Sequence, residues 1–87
     1  EAETMNLSRL MFAGYAGGVS MVGVGPTTVI RALIQRFDVV SAHIPGYYDR
    51  ELRCYDPATG LRLRVQYRQD SMGCWQYQPV AVRRRNH

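Results

Sequence analysis

The chain has 87 residues, 46% of them hydrophobic and 21% charged, which is typical of one small folded domain and not of a disordered chain. This length excludes a complete dinucleotide-binding or kinase fold, and no apolar run is long enough for a membrane span. All 11 basic residues are arginines, against 7 acidic residues, so the net charge is +4. Codon bias in a GC-rich genome would explain arginine in place of lysine. An acidic partner would also explain it, because guanidinium grips phosphate through two hydrogen bonds.

Met5 has the position of an initiator after Glu1–Thr4, so we expect these first four residues to be a cloning remnant. Without the two acidic residues among them the net charge rises from +4 to +6. We expect residues 5–82 to form a single domain and residues 83–87 to form a basic C-terminal tail.

The segment Leu7–Gly25 is apolar and rich in glycine. We interpret it as two short strands, Leu7–Tyr15 and Val19–Val24, separated by a Gly–Gly bend. The alternative is a helix that begins at Asn6 or Ser8, because several of the apolar residues follow helical spacing.

The next segment, Pro26–Phe37, is predicted to be an amphipathic helix. Proline suits the first helical position, and Arg36 would complement the negative end of the helix dipole. The apolar residues fall on one face, and they are Val29, Ile30, Leu33, Ile34 and Phe37. A helix this short is not stable alone in water, so this face must pack on a sheet.

The remaining chain predicts strands joined by turns. Val39–Ile44 is rich in β-branched residues, and Leu61–Arg68 alternates apolar and polar residues. Asp56–Gly60 and Asp70–Gly73 have the composition of hairpin turns. We therefore predict an α+β fold, with one amphipathic helix packed on a small antiparallel sheet that ends in a three-stranded meander.

The register of the meander follows from matching its apolar faces. Pairing Asp70 with Cys74 places Tyr67 opposite Tyr77 and Val65 opposite Pro79, with Trp75 on the same side. Pairing Asp56 with Leu61 places Cys54 opposite Leu63 and Leu52 opposite Val65. The two cysteines then lie on opposite faces of outer strands, too far apart for a disulfide, with Cys74 on the arginine side. We expect two free thiols and a cytoplasmic protein of bacterial or phage-like origin.

The same register gathers polar side chains on the face that points away from the core. They are Arg53, Tyr55, Arg62, Arg64, Gln66, Arg68, Gln76 and Gln78. Such a face can bind nucleic acid, with guanidinium groups on phosphates and rings under bases. We predict binding through Arg53, Tyr55, Arg62, Arg64, Arg68 and Gln76, together with Arg83, Arg84 and Arg85 of the tail. A solvated sheet face also carries charged residues without any ligand.

A protein-interaction or homo-oligomerisation module is the second prediction. The apolar N-terminal segment exceeds what one short helix could cover, and Tyr47 and Tyr48 would form an exposed aromatic interface. Catalysis is the least favoured interpretation, because His43 has no partner at a useful spacing and Asp38, Asp49 and Asp56 lie at element ends. No cofactor and no metal site is expected, since two cysteines and two histidines do not provide a usual ligand pattern.

Overall fold

The computed structural model describes residues 2–16 and 23–84, and the fold is α+β, as predicted. Within these residues, two helices pack on one face of a four-stranded antiparallel sheet with strand order β1-β2-β3-β4. The elements are α1 (Ala2–Ala16), α2 (Pro26–Leu33), β1 (Asp38–His43), β2 (Arg50–Tyr55), β3 (Leu61–Gln69) and β4 (Trp75–Arg84). We call the sheet face that carries the helices the helix face and the opposite side the open face.

The N-terminal segment is helical, so the predicted strand Leu7–Tyr15 is wrong and its helical alternative is correct. The helix begins at Ala2, before the expected start. Ser8 and Phe12 are four residues apart and both are buried, which shows the face that α1 turns to the sheet. Residues 19–22 of the second predicted strand lie outside the described residues, and Gly23 and Val24 form a turn and a loop.

The second helix is shorter than predicted. It ends at Leu33, and the chain then forms turns as far as Phe37. The backbone N–H groups of Arg36 and Phe37 both donate to the Leu33 carbonyl. Ile34 is consequently exposed, while Leu33 and Phe37 remain buried. Arg36 lies beyond the last residue of α2, and its guanidinium contacts Asp56.

The side chain of Asp56 connects the turn that follows α2 to the β2–β3 hairpin. Its buried carboxylate accepts hydrogen bonds from Arg36 Nε at 2.7 Å and from the Ala58 backbone N–H at 2.9 Å. The hydrogen bond from Arg36 is the main reason that the pKa of Asp56 falls to about 2, although burial opposes it. The contact with Ala58 gives the Asp56 side chain a structural role in the turn, as expected from the sequence.

The register of the meander is confirmed. Tyr67 pairs with Tyr77 and Val65 with Pro79, while Cys54 pairs with Leu63 and Leu52 with Val65. Gly60 and Gly73 have φ angles of 77° and 87°, which glycine adopts without the strain that a side chain would bring. These two turns fix which residues of each strand share a face.

A β-bulge in β4 changes which of its side chains face the helices. Arg64 pairs with Ala81 while Val65 pairs with Pro79, so Val80 is an extra residue in a β-bulge. Odd-numbered residues of β4 face the helices before the bulge and the open face after it. Arg83 therefore lies on the open face opposite Arg62, within a strand that reaches Arg84.

The core lies between the helices and the helix face of the sheet. Its buried side chains include Phe12, Val29, Leu33, Phe37, Leu52, Leu61, Leu63, Val65 and Tyr67, and Trp75 packs against them. Cys54 is buried in this core and Cys74 is exposed, and both thiols are free, as predicted. Burial raises the pKa of Cys54 to about 12, so this thiol stays protonated and unreactive.

Candidate functional site

The open face is the candidate site, and no described element packs against it. Strand pairing arranges its side chains in rows that cross the sheet. The first row is Asp38, Tyr55, Arg62 and Arg83; the second is Val40, Arg53, Arg64 and Ala81; the third is Ala42, Glu51, Gln66 and Gln78. Arg68 and Gln76 pair beyond the third row. Five arginines and two carboxylates leave an excess of three positive charges on this face.

The first row brings two like charges together. Arg62 and Arg83 are directly opposite each other, which places their Cβ atoms about 5 Å apart and costs stability when nothing neutralises them. Neither forms an ion pair with a carboxylate of the described residues. The Arg62 guanidinium lies over the Tyr55 ring, 4.8 Å from its centroid, and so is held by a cation–π contact.

The second row also opposes two arginines, but here a carboxylate neutralises them. Glu51 Oε1 accepts a hydrogen bond from Arg53 Nε at 2.8 Å, and Oε2 accepts one from Arg64 Nη2 at 2.7 Å. Glu51 is 1% exposed, whereas both arginines remain about half exposed. The carboxylate is thus covered by the two guanidinium groups that it holds in place.

The charge of Glu51 survives this burial. Burial alone would raise the pKa of Glu51, but the hydrogen bonds from Arg64 and Arg53, with one from Gln66, outweigh it and lower that pKa. The sequence prediction missed this residue, although strand alternation places Glu51 on the same face as Arg53 and Tyr55. What the sequence could not show is that both neighbouring arginines turn toward it.

The first two rows line a concave groove of about 730 Å³, within the usual size of small-ligand clefts. Its charged lining residues are the four arginines Arg53, Arg62, Arg64 and Arg83 and one carboxylate, Asp38. Tyr55, Val40 and Ala81 contribute apolar surface. Four predicted binding arginines are therefore brought together on one concave surface. Such a surface attracts anions more strongly than the same charges spread over a convex one.

A second aromatic contact lies at the other end of β3. The Arg68 guanidinium lies over the ring of Tyr47, 4.3 Å from its centroid. Tyr47 is 67% exposed, and its ring meets the half-buried Tyr48 edge to face at 5.2 Å. The two predicted interface tyrosines thus border the open face. Gln76 lies beside Arg68, but its amide donates to Asp70 Oδ2 at 3.2 Å.

Among the described side chains, those of His43 and Cys74 do not line the groove. Arg84 pairs with Leu61 in the sheet ladder, and Arg85 lies outside the described residues. His43 is exposed on edge strand β1 and pairs with Arg50. Cys74 is exposed at the end of the β3–β4 loop, where its backbone N–H donates to Asp70 Oδ1.

Within residues 2–16 and 23–84, no group of three or more histidine, cysteine, aspartate or glutamate side chains has a metal-binding arrangement. Neither of the two described helices has the length and apolar character that crossing a bilayer requires. Comparison of the chain with protein-family models, curated proteins and solved structures finds no match.

Proposed function

We propose that this protein is a nucleic-acid-binding module and that the groove on the open face holds the sugar–phosphate backbone. The observation that carries the proposal is the opposed pair Arg62 and Arg83, neither of which forms an ion pair with a carboxylate of the described residues. A phosphate between the two guanidinium groups would turn their repulsion into two charge-assisted contacts. Arg53 and Arg64 add positive potential on the same concave surface.

This arrangement supports binding through the backbone and not base-specific recognition. Guanidinium–phosphate contacts release counterions from the nucleic acid, so affinity falls steeply as salt rises. Of the side chains on the open face that could read base edges, Gln76 is already engaged by Asp70. The two free thiols support the proposed cytoplasmic location, where reduced cysteines persist.

The test is the salt dependence of binding, measured by fluorescence anisotropy with labelled single-stranded and duplex DNA. The double variant R62Q/R83Q should weaken binding and reduce the slope of log K against log salt by about 1.4 for a single strand, at roughly 0.7 per lost phosphate contact. The matched control is R31Q on α2, an exposed position on the helix side. Unchanged affinity and slope in R62Q/R83Q would contradict the proposal.

A second candidate function, self-association or binding of a protein, is favoured by the outer side of α1. Leu7 and Leu10 lie three residues apart on this helix and are 50% and 71% exposed. Ile34, just after α2, is 56% exposed. Exposed large apolar side chains are a feature of protein contact surfaces when they form a contiguous patch, as Leu7 and Leu10 do at adjacent positions of α1.

A further inference from the structure

We infer that the ligand is a single strand lying along β3, with bases stacked at both ends of the open face. This inference rests on the proposed nucleic-acid function and specifies its substrate class and its footprint. It comes from one juxtaposition: Arg62 on Tyr55 at one end of β3, and Arg68 on Tyr47 at the other. We call these two contacts the groove station and the distal station.

Each station can hold a base through its planar groups. Guanidinium planes and tyrosine rings stack with the faces of unpaired bases, and each station presents both groups in contact. In a duplex those base faces are covered by neighbouring base pairs, so a duplex could offer only its phosphates. Two aromatic stations on one positively charged face therefore favour a single strand over a duplex.

The spacing of the stations sets the footprint. Arg68 lies six positions after Arg62 in β3, which corresponds to about 20 Å along the strand. A nucleic-acid strand with the helical rise of 3.4 Å needs about six nucleotides to cover this distance, and a more extended strand needs fewer. A ligand of about two nucleotides can occupy one station at a time.

The surface between the stations permits a polyanion to pass. On the strands between them, the carboxylate on the open face within the described residues is that of Glu51, which is buried beneath Arg53 and Arg64. Gln66 and Gln78 beside it are uncharged and half-buried. Beyond Arg68, Asp70 is occupied by its own turn, since Oδ1 accepts the backbone N–H groups of Met72 and Cys74.

The experiment measures the affinity of the intact protein for labelled oligothymidylates of about two to ten nucleotides and for a duplex of matched length, at low salt. We expect affinity to rise steeply up to about six nucleotides and then to level off, and the single strand to bind more tightly than the duplex. Y47L should lower the affinity for the longer oligomers by about tenfold, the value of one stacked base, and leave the shortest unaffected. Y47F keeps the ring and should bind as the unaltered protein does.

R68Q should act like Y47L on the longer oligomers, whereas R31Q removes the same charge on the helix side and should not change the length dependence. If duplex binds as well as single strand, or if Y47L binds every length normally, the inference is overturned while the proposed function stands. If neither nucleic acid binds at low salt, the proposed function fails and the inference fails with it.

Discussion

Glu51 lies on the sheet face that no described helix covers, and yet its side chain is 1% exposed because two arginines fold over it. A carboxylate held by two guanidinium groups occupies the place that a ligand phosphate would take. At this point of the open face the protein therefore provides its own anion. Arg53 and Arg64 are fixed in position, and Glu51 already neutralises part of their charge. Arg62 and Arg83 form no ion pair with a described carboxylate and can therefore bind an external anion.

Replacing Glu51 with glutamine tests this competition. E51Q should lower the free energy of unfolding by about 1–3 kcal/mol, because the amide oxygen of glutamine can accept only one of the two arginine hydrogen bonds and its NH2 group cannot accept the other. It should also raise the affinity for single-stranded DNA and steepen the salt dependence, since Arg53 and Arg64 become available to phosphate. Urea denaturation and anisotropy measure the two effects.

The control is D38N, which removes one negative charge from the same face without releasing an arginine from an ion pair. E51Q should increase affinity more than D38N does. An affinity gain that is equal in both variants would mean that only net charge matters and that Glu51 does not compete for the arginines.

Asp56 provides a prediction for pH. Its pKa in the fold is about 2, below its ordinary value of 3.8, chiefly because Arg36 donates to it. Its contribution to stability is therefore complete above pH 4 and is lost as the pH falls from about 4 to about 2. D56N should lower the urea midpoint at pH 7 and make the stability of the protein fall less steeply across that acid range.

The matched control is D49N, because Asp49 is an exposed residue of the β1–β2 loop whose backbone carbonyl, not its side chain, accepts a hydrogen bond from Ile44. D49N should leave both the midpoint and its acid dependence close to those of the unaltered chain. A D56N protein with the same acid profile as D49N would refute the role of the Arg36–Asp56 contact.

At the scale of elements, α1 has two apolar sides with different roles. Phe12 faces the core and is 4% exposed, whereas Leu10 faces solvent and is 71% exposed. We expect F12A to reduce the free energy of unfolding by about 3–5 kcal/mol through the cavity that it leaves. L10E should change stability by no more than about 0.5 kcal/mol, and it should weaken self-association if this side of α1 is an interface.

Urea denaturation and light scattering of the same variants separate the two roles. Equal loss of stability in F12A and L10E would show that α1 does not dock on the sheet through Phe12. A chain that is monomeric both with and without the L10E substitution would exclude self-association through α1.

The two apolar sides also explain why the sequence prediction failed for α1 and succeeded for the meander. Leu7 and Leu10 on the outer side, with Phe12 and Tyr15 on the inner side, obscure the helical period that marks an amphipathic helix. In β3 the alternation is regular because one face is buried and the other is solvated. This alternation and two glycine-dependent turns are together sufficient to determine the register.

The candidate site was predictable to the extent that strand alternation determines it. Alternation correctly placed Arg53, Arg62, Arg64 and Arg68 on one face. It could not reveal the extra residue in β4, so the position of Arg83 was missed. Nor could it show which arginines pair with a carboxylate, because that depends on side-chain rotamers and not on strand register.

At the scale of the whole molecule, the two proposed surfaces lie on opposite sides. The helices cover one face of the sheet and present the exposed leucines of α1 outward, while the arginine groove lies on the other face. A partner bound to α1 would leave the groove free. A dimer formed through α1 would carry two grooves, and its avidity for a long strand would exceed that of one chain.

The bulge at Val80 has a consequence for how such a protein could diverge. Deleting this uncharged residue would alter neither the isoelectric point nor the number of arginines. It would also leave the register unchanged, because Ala81, Val82 and Arg83 would follow Pro79 in regular pairing and remain opposite Arg64, Leu63 and Arg62. The bulge therefore accommodates one extra residue in β4 while Arg83 stays on the open face, and a relative that lacked Val80 would keep the opposed arginine pair.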